Sequence, residues 1–135
     1  WDIAKHTKKP FAASHSNARA LSPHARNLTD DMLRVIADRG GVAGLIFYGR
    51  FLNPIDNSHS STARMAQHVR QIVNVGGIEC IGLGSDFDGI TGELEMEDCS
   101  QLAKLTAELE RAHFTGSEIE HILYKNVMRF YREML

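Results

Sequence analysis

Apolar positions along the chain follow two different periods, and the alternation between them sets the expected architecture. Three strand-sized apolar runs stand out: Pro10-Phe11-Ala12-Ala13-Ser14, Val42-Ala43-Gly44-Leu45-Ile46-Phe47-Tyr48 and Cys80-Ile81-Gly82-Leu83-Gly84-Ser85. The second is apolar throughout, as a strand covered on both faces should be. Helical spacing fills the stretches between them. Met32, Val35 and Ile36 share one face of a helix capped by Thr29-Asp30-Asp31 and stopped at Gly40-Gly41. A loop holding Asn53-Pro54 and Ser58 to Ser61 leads to a second helix, predicted over Ala63 to Val75 with Met65, Val69, Ile72 and Val73 inward and Gly76-Gly77 as its stop. Beyond the third strand, a Gly-broken loop precedes a helix from about Glu97 to Ala112. The capping box Thr115-x-x-Glu118 opens a last helix that runs to the C-terminus.

Strand starts 32 and 38 residues apart fit βαβ units with parallel pairing. Closed (β/α)8 barrels and open doubly wound sheets both produce this pattern, and periodicity does not separate them. Trp1-Asp2-Ile3-Ala4-Lys5 reads as the middle of an amphipathic helix without a start cap, so the chain is expected to be a fragment, one partial domain over residues 1–135.

Composition narrows the partners. With 135 residues, 43% of them hydrophobic, and a formal net charge of −2, the chain has ordinary globular content and no basic footprint for nucleic acid or an anionic membrane. No apolar run approaches the roughly 18 to 20 residues of a spanning helix. Cys80 and Cys99 form no disulfide framework; Cys80 reads as a small buried hydrophobe, and a reducing, cytoplasmic setting is the expectation. Asn27-Leu28-Thr29 matches a glycosylation sequon, a pattern short enough to recur by chance.

In parallel α/β folds, functional side chains gather at the carboxyl ends of strands. The first run ends at His15, either a metal ligand or a histidine that hydrogen-bonds near a strand terminus. His6, His24, His59, His68, His113 and His121 show no ligand spacing and read as surface or internally satisfied, with His68 singled out on the helix before the third strand. That strand ends at Asp86, within Gly84-Ser85-Asp86-Phe87-Asp88-Gly89. Its carboxylate could bind a metal, act as a general acid/base, or merely close a turn. Asp86, Asp88 and Glu97 mimic positions 1, 3 and 12 of a calcium loop, but Ile90 and Thr91 break that pattern. The loop from Ser16 to Asn27 adds Arg19, His24 and Arg26, suited either to gripping a carboxylate or to simple solvation. A small open-sheet binding domain would call for a phosphate-binding glycine turn, and none is present.

Three ordered strings carry a resemblance: Ala13-Ser14-His15-Ser16-Asn17-Ala18-Arg19-Ala20-Leu21, Arg26-Asn27-Leu28-Thr29-Asp30-Asp31 and Gly82-Leu83-Gly84-Ser85-Asp86-Phe87-Asp88-Gly89. They resemble renal or membrane dipeptidase and its bacterial relatives in the metallo-dependent amidohydrolase superfamily, and the wording of the first string is similar to bacterial members. The resemblance implies that the chain is the C-terminal part, about strands six to eight, of a (β/α)8 TIM-type barrel. It further implies two zinc ions bridged by a carboxylate and a hydroxide, with a dipeptide as substrate and tolerance for a D-residue at its C-terminal side. On the same basis His15 corresponds to a ligand of the second zinc, and Arg26, eleven residues on, to the arginine gripping the substrate's C-terminal carboxylate. Asp86 corresponds to the aspartate that shuttles the proton, and Tyr48 either lines the pocket or packs there. The family's His-x-Asp pair, bridging Glu and remaining His ligand have no counterpart here. Such a piece is expected to be inactive alone and to associate with itself or with the missing N-terminal portion. The rival expectation is a non-catalytic structural or interaction fragment.

Overall fold

The structure, a computed structural model, describes residues 1–55 and 59–135; Ser58 of the anticipated loop lies outside the described residues. Three parallel strands form the sheet: β1 (Ala12–Ala13), β2 (Val42–Leu45) and β4 (Ile81–Leu83). Their spatial order, β1-β2-β4, follows chain order. A doubly wound sheet reverses direction at a switch point. None occurs among these strands.

Each strand is shorter than its apolar run, for local reasons. The β2 run leaves the ladder after Leu45 because the Asn17 side chain takes the place of a neighbouring strand: Ile46 N–H donates to Asn17 Oδ1 at 3.0 Å, and Asn17 Nδ2 donates to the Ile46 carbonyl at 3.0 Å. Ahead of β4, Ile78–Cys80 winds into a 3₁₀ turn. Among the described residues β1 pairs with β2 alone, and it keeps two residues.

Helices α2 (Asp30–Asp38) and α4 (Thr62–Gly76) pack side by side over β2 and β4. Thr29 caps α2 by accepting from Met32 N–H, and Leu33 and Ile36 are its buried residues. The α2 C-terminus turns through Gly40, whose φ of 68° suits a residue without Cβ. α4 is capped by Ser61 and buries Met65, Val69 and Ile72, as its apolar face predicts; His68 joins them. Each fully buried aliphatic side chain contributes about 1.5–3 kcal/mol.

The remaining elements are α1 (Asp2–His6), α3 (Gly49–Leu52), a two-residue parallel pair of β3 (His59–Ser60) with β5 (Glu93–Leu94), and three C-terminal helices. Instead of one helix from Glu97 to Ala112, Asp98 caps a 3₁₀ turn (Cys99–Gln101) by accepting from Ser100 N–H, and α5 (Leu102–Arg111) follows. The capping box at Thr115 and Glu118 forms and starts α6 (Gly116–Glu120). One π turn, His121–Lys125, joins it to α7 (Asn126–Met134). Asn126 there is buried and donates to the carbonyls of Ile78 and Ile81, fastening this helix to the start of β4. Cys80 is buried as expected, and burial pushes its thiol up to about 11; Cys99 is exposed. No helix of the described residues is long and apolar enough to cross a membrane.

A candidate active site at the carboxyl rim of the sheet

His15 follows β1 and Asp86 follows β4, so both rise from the carboxyl rim on either side of β2. Their side chains face each other: His15 Nε2 lies 3.7 Å from Asp86 Oδ1, and each is a little over one-third exposed. That separation is longer than a hydrogen bond, so the two polar groups stand side by side without bonding each other directly. Small residues allow the approach. A Cβ on Gly44 or Gly84 would run into the Ser14 carbonyl at 2.2 and 1.8 Å, so only glycine lets the segment before His15 lie this close to β2 and β4.

Asp86 carries a φ of 61°, a left-handed backbone uncommon outside glycine and tolerated by Asp and Asn. The turn is closed by Gly89 N–H donating to the Asp86 carbonyl at 2.9 Å. Phe87 packs its ring edge-on against Phe47 at 5.3 Å, anchoring the strained turn to the end of β2. In the sequence Phe87 is marked only as an aromatic directly after the strand-ending aspartate.

Arg26 and Tyr48 each lie against the ring of Phe51 of α3. The Arg26 guanidinium carbon is 5.5 Å from the Phe51 ring centroid, and the Tyr48 and His24 rings lie 5.2 and 4.4 Å from it. Arg26 is exposed and Tyr48 half-buried. The other candidate cation, Arg19, is instead consumed by its own loop: Nε donates to the Asn27 carbonyl and Nη2 to that of Ala25.

The loop bearing Arg26 is built on buried amides. Asn17 N–H donates to Asn27 Oδ1, and Asn27 Nδ2 donates to the carbonyls of Ser22 and Phe51. The sequon asparagine is therefore 1% exposed with its amide fully engaged, which closes it to glycosylation in the folded chain. Leu28 N–H donates to Asn17 O, and Arg19 N–H to Leu28 O. His68 is an internally satisfied histidine. Its Nδ1 accepts from Ala18 N–H at 3.1 Å, and its Nε2 is 2.9 Å from the Leu52 carbonyl. Burial pushes its pKa down to about 4, opposed by the Leu52 hydrogen bond and assisted by the nearby Arg64 charge.

Could the rim hold a metal? His15 and Asp86 supply one imidazole and one carboxylate, and among the described residues no three His, Cys, Asp or Glu side chains gather. A zinc site takes about four donors, three of them from protein even when one position stays open. The pair fits one corner of such a site and does not complete it. A cleft of about 240 Å³ reaches His15, lying between Ala12, Val42 and Gly44 of the sheet and Phe130 and Tyr131 of α7. Another cleft, of about 480 Å³, lies between α4 and α5 beside Arg70 and Glu108 and does not include His15 or Asp86.

The family model for membrane dipeptidase, peptidase family M19, matches residues 1–134. The chain belongs to that family. As an M19 member it is 39% identical over 131 residues to an uncharacterized protein of Klebsiella pneumoniae, covering 96% of this chain and 48% of the relative. It is 32% identical to a dipeptidase of Aspergillus terreus, covering 95% and 32% of the two chains. The crystal structure of a Rhodobacter sphaeroides metallo peptidase, liganded with a phosphinate mimic of the dipeptide L-Ala-D-Ala, superposes with a TM-score of 0.92 at 28% identity, over 99% of this chain and 39% of that one. An M19 dipeptidase structure gives 0.88 at 29% identity, over 98% and 40%. This M19 chain thus has the fold of part of a metallopeptidase barrel and spans between about a third and about half of the relatives' length.

Proposed function

We propose that this chain is the part of a zinc-dependent dipeptidase that carries one metal-binding imidazole, the proton-handling carboxylate and the clamp for the substrate's C-terminal carboxylate. The observation that carries the reading is the 3.7 Å approach of His15 Nε2 to Asp86 Oδ1 from strands on either side of β2. His15 offers a nitrogen lone pair to the metal, and Asp86 takes a proton at its carboxylate and returns it to the leaving amine. Arg26, exposed beside Phe51, offers paired N–H donors to the substrate carboxylate, with Tyr48 packed against the same ring. Zinc, when bound, polarises the scissile carbonyl and acidifies water. The L-Ala-D-Ala mimic bound by the Rhodobacter relative supports a dipeptide substrate with room for a D-residue.

We expect the 135-residue chain alone to hold no binuclear zinc and to turn over no dipeptide, since among the described residues no third donor joins His15 and Asp86. The β1 and β4 edges, each paired on one side only among the described residues, support association with the rest of a barrel or with a second copy. The test is zinc content and hydrolysis of a simple dipeptide by the 135-residue chain and by the full-length protein. We expect zinc-dependent turnover in the full-length protein, lost in Asp86→Asn, and none in the shorter chain. A full-length protein without dipeptide hydrolysis, or an Asp86→Asn variant with wild-type rates, would overturn the reading. A second reading, a non-catalytic interaction fragment, is favoured by the incomplete donor set; stoichiometric zinc with turnover by the short chain defeats it.

A further inference from the structure

We infer that His68 is a positioning residue for substrate capture, its two ring nitrogens fastening the loop that carries Arg26 to the turn that carries Phe51. The inference rests on the reading of Arg26 as the carboxylate clamp. His68 projects from α4, fully buried, 42 positions beyond Arg26. Its Nδ1 accepts from Ala18 N–H at 3.1 Å, at the root of the clamp loop, and its Nε2 lies 2.9 Å from the Leu52 carbonyl. A carbonyl only accepts, so Nε2 carries the hydrogen and Nδ1 the lone pair; the two contacts fix one neutral tautomer.

Both anchored groups border the clamp. Leu52 follows Phe51, the ring beside the Arg26 guanidinium, and Ala18 pairs with Leu28, two residues beyond Arg26. Arg64, one turn earlier on α4, repeats the bridge: Nε donates to the same Leu52 carbonyl and Nη2 to the Leu21 carbonyl. An apolar side chain at position 68 would fill the space and leave Ala18 N–H without its acceptor. Ring protonation would do the same, and burial beside the Arg64 cation keeps the ring neutral.

Amide hydrogen exchange of the 135-residue chain tests this directly. His68→Phe keeps an aromatic ring, somewhat larger than the imidazole, and removes both hydrogen bonds; His68→Gln keeps a donor and an acceptor. We expect His68→Phe to speed exchange at Ala18, Arg19 and Leu28 by about tenfold or more relative to Leu105 and Leu109 of α5, and His68→Gln to recover most of that protection. In the full-length enzyme, His68→Phe should raise KM for a dipeptide about tenfold with kcat within about twofold, and His68→Gln should restore KM. Unchanged or uniformly faster exchange, or kcat lost with KM unmoved, overturns the inference. If His68→Phe does not fold, His68→Leu, which also removes both hydrogen bonds, takes its place with the same criteria. A wild-type enzyme that hydrolyses no dipeptide defeats the peptidase reading, and the exchange comparison then decides His68 by itself.

Discussion

Two loops rise from the same rim of the sheet, and they are held by different means. The loop of residues 16–28 rests on polar side chains that are almost wholly buried: Asn17, Asn27 and His68 are each 0–1% exposed and hydrogen-bonded through both ends. The turn after β4 has little of this. Asp86 is a little over one-third exposed, its backbone sits at a φ of 61°, and a ring contact from Phe87 to Phe47 anchors it. A binding arm benefits from rigidity established before substrate arrives. A group that passes protons needs access and freedom at its carboxylate. Under the dipeptidase proposal the two constructions match the two tasks, and each can be broken separately.

The largest effect is expected at Asn17. Asn17→Ala removes the acceptor of Ile46 N–H and the donor to the Ile46 carbonyl in the interior, at about 1–3 kcal/mol for each group left unpaired, or about 3 kcal/mol in all. Urea unfolding of the variant should show a midpoint shift of that size with the slope retained. A shift below about 1 kcal/mol would mean that water replaces the amide and that the clamp loop is less tightly built than its hydrogen bonds indicate.

Acid should loosen the same loop nearly as much. His68 titrates at about 4 in the folded chain against 6.5 when free, so between those values the unfolded chain binds the proton and the folded chain does not. Stability from this group is complete above about pH 6.5 and declines as pH falls toward 4, by about 3 kcal/mol in total. The check is unfolding free energy against pH for wild type and His68→Gln. Carboxylates titrate in both, so the difference isolates the imidazole. Parallel curves would show that water reaches the ring.

How far the sequence discloses this contrast depends on the kind of interaction. Apolar periodicity marks all three sheet strands and both long covering helices, because burial imposes a repeat on one face of each. His15, Asp86 and Tyr48 stand out by their position at strand ends and Arg26 by the resemblance; the structure brings His15 to Asp86 and sets Arg26 and Tyr48 each against Phe51. The polar scaffold is another matter. Asn17 bonds Ile46 across 29 positions and His68 bonds Ala18 across 50, and no local pattern announces a partner so distant. Arg19 is misleading for the same reason, since its carbonyl partners exist only once the loop has closed. Strand ends fail locally too: the β2 run reads as continuing to Tyr48, yet a side-chain amide replaces the ladder at Ile46.

A smaller effect of the opposite sign is expected at the strained turn. Asp86→Gly removes the cost of a left-handed backbone at a residue bearing Cβ, about 1 kcal/mol, while adding freedom to the unfolded chain. Net stability should hold or rise by up to about 1 kcal/mol as dipeptide turnover in the full-length protein disappears, both read on one preparation. Destabilisation by more than about 1 kcal/mol would instead assign the carboxylate a role in holding the turn together.

The smallest change in stability, and the sharpest separation of the two loops, belongs to Gly89. A Cβ there would stand 2.9 Å from Asp86 Oδ1, inside contact distance, while the backbone needs no left-handed φ at that residue. The obstructed atoms are the tip of a partly exposed side chain, which can swing aside at little cost. Gly89→Ala should therefore cost less than about 1 kcal/mol by urea unfolding. The same swing carries the carboxylate away from its position 3.7 Å from His15 Nε2. In the full-length protein kcat should fall about tenfold or more with KM held, because Arg26 and its buried scaffold are untouched. His68→Phe should produce the reverse, KM rising and kcat held. If both variants instead move kcat and KM together, the two loops act as one unit, and the division between a rigid clamp and an accessible proton carrier is wrong.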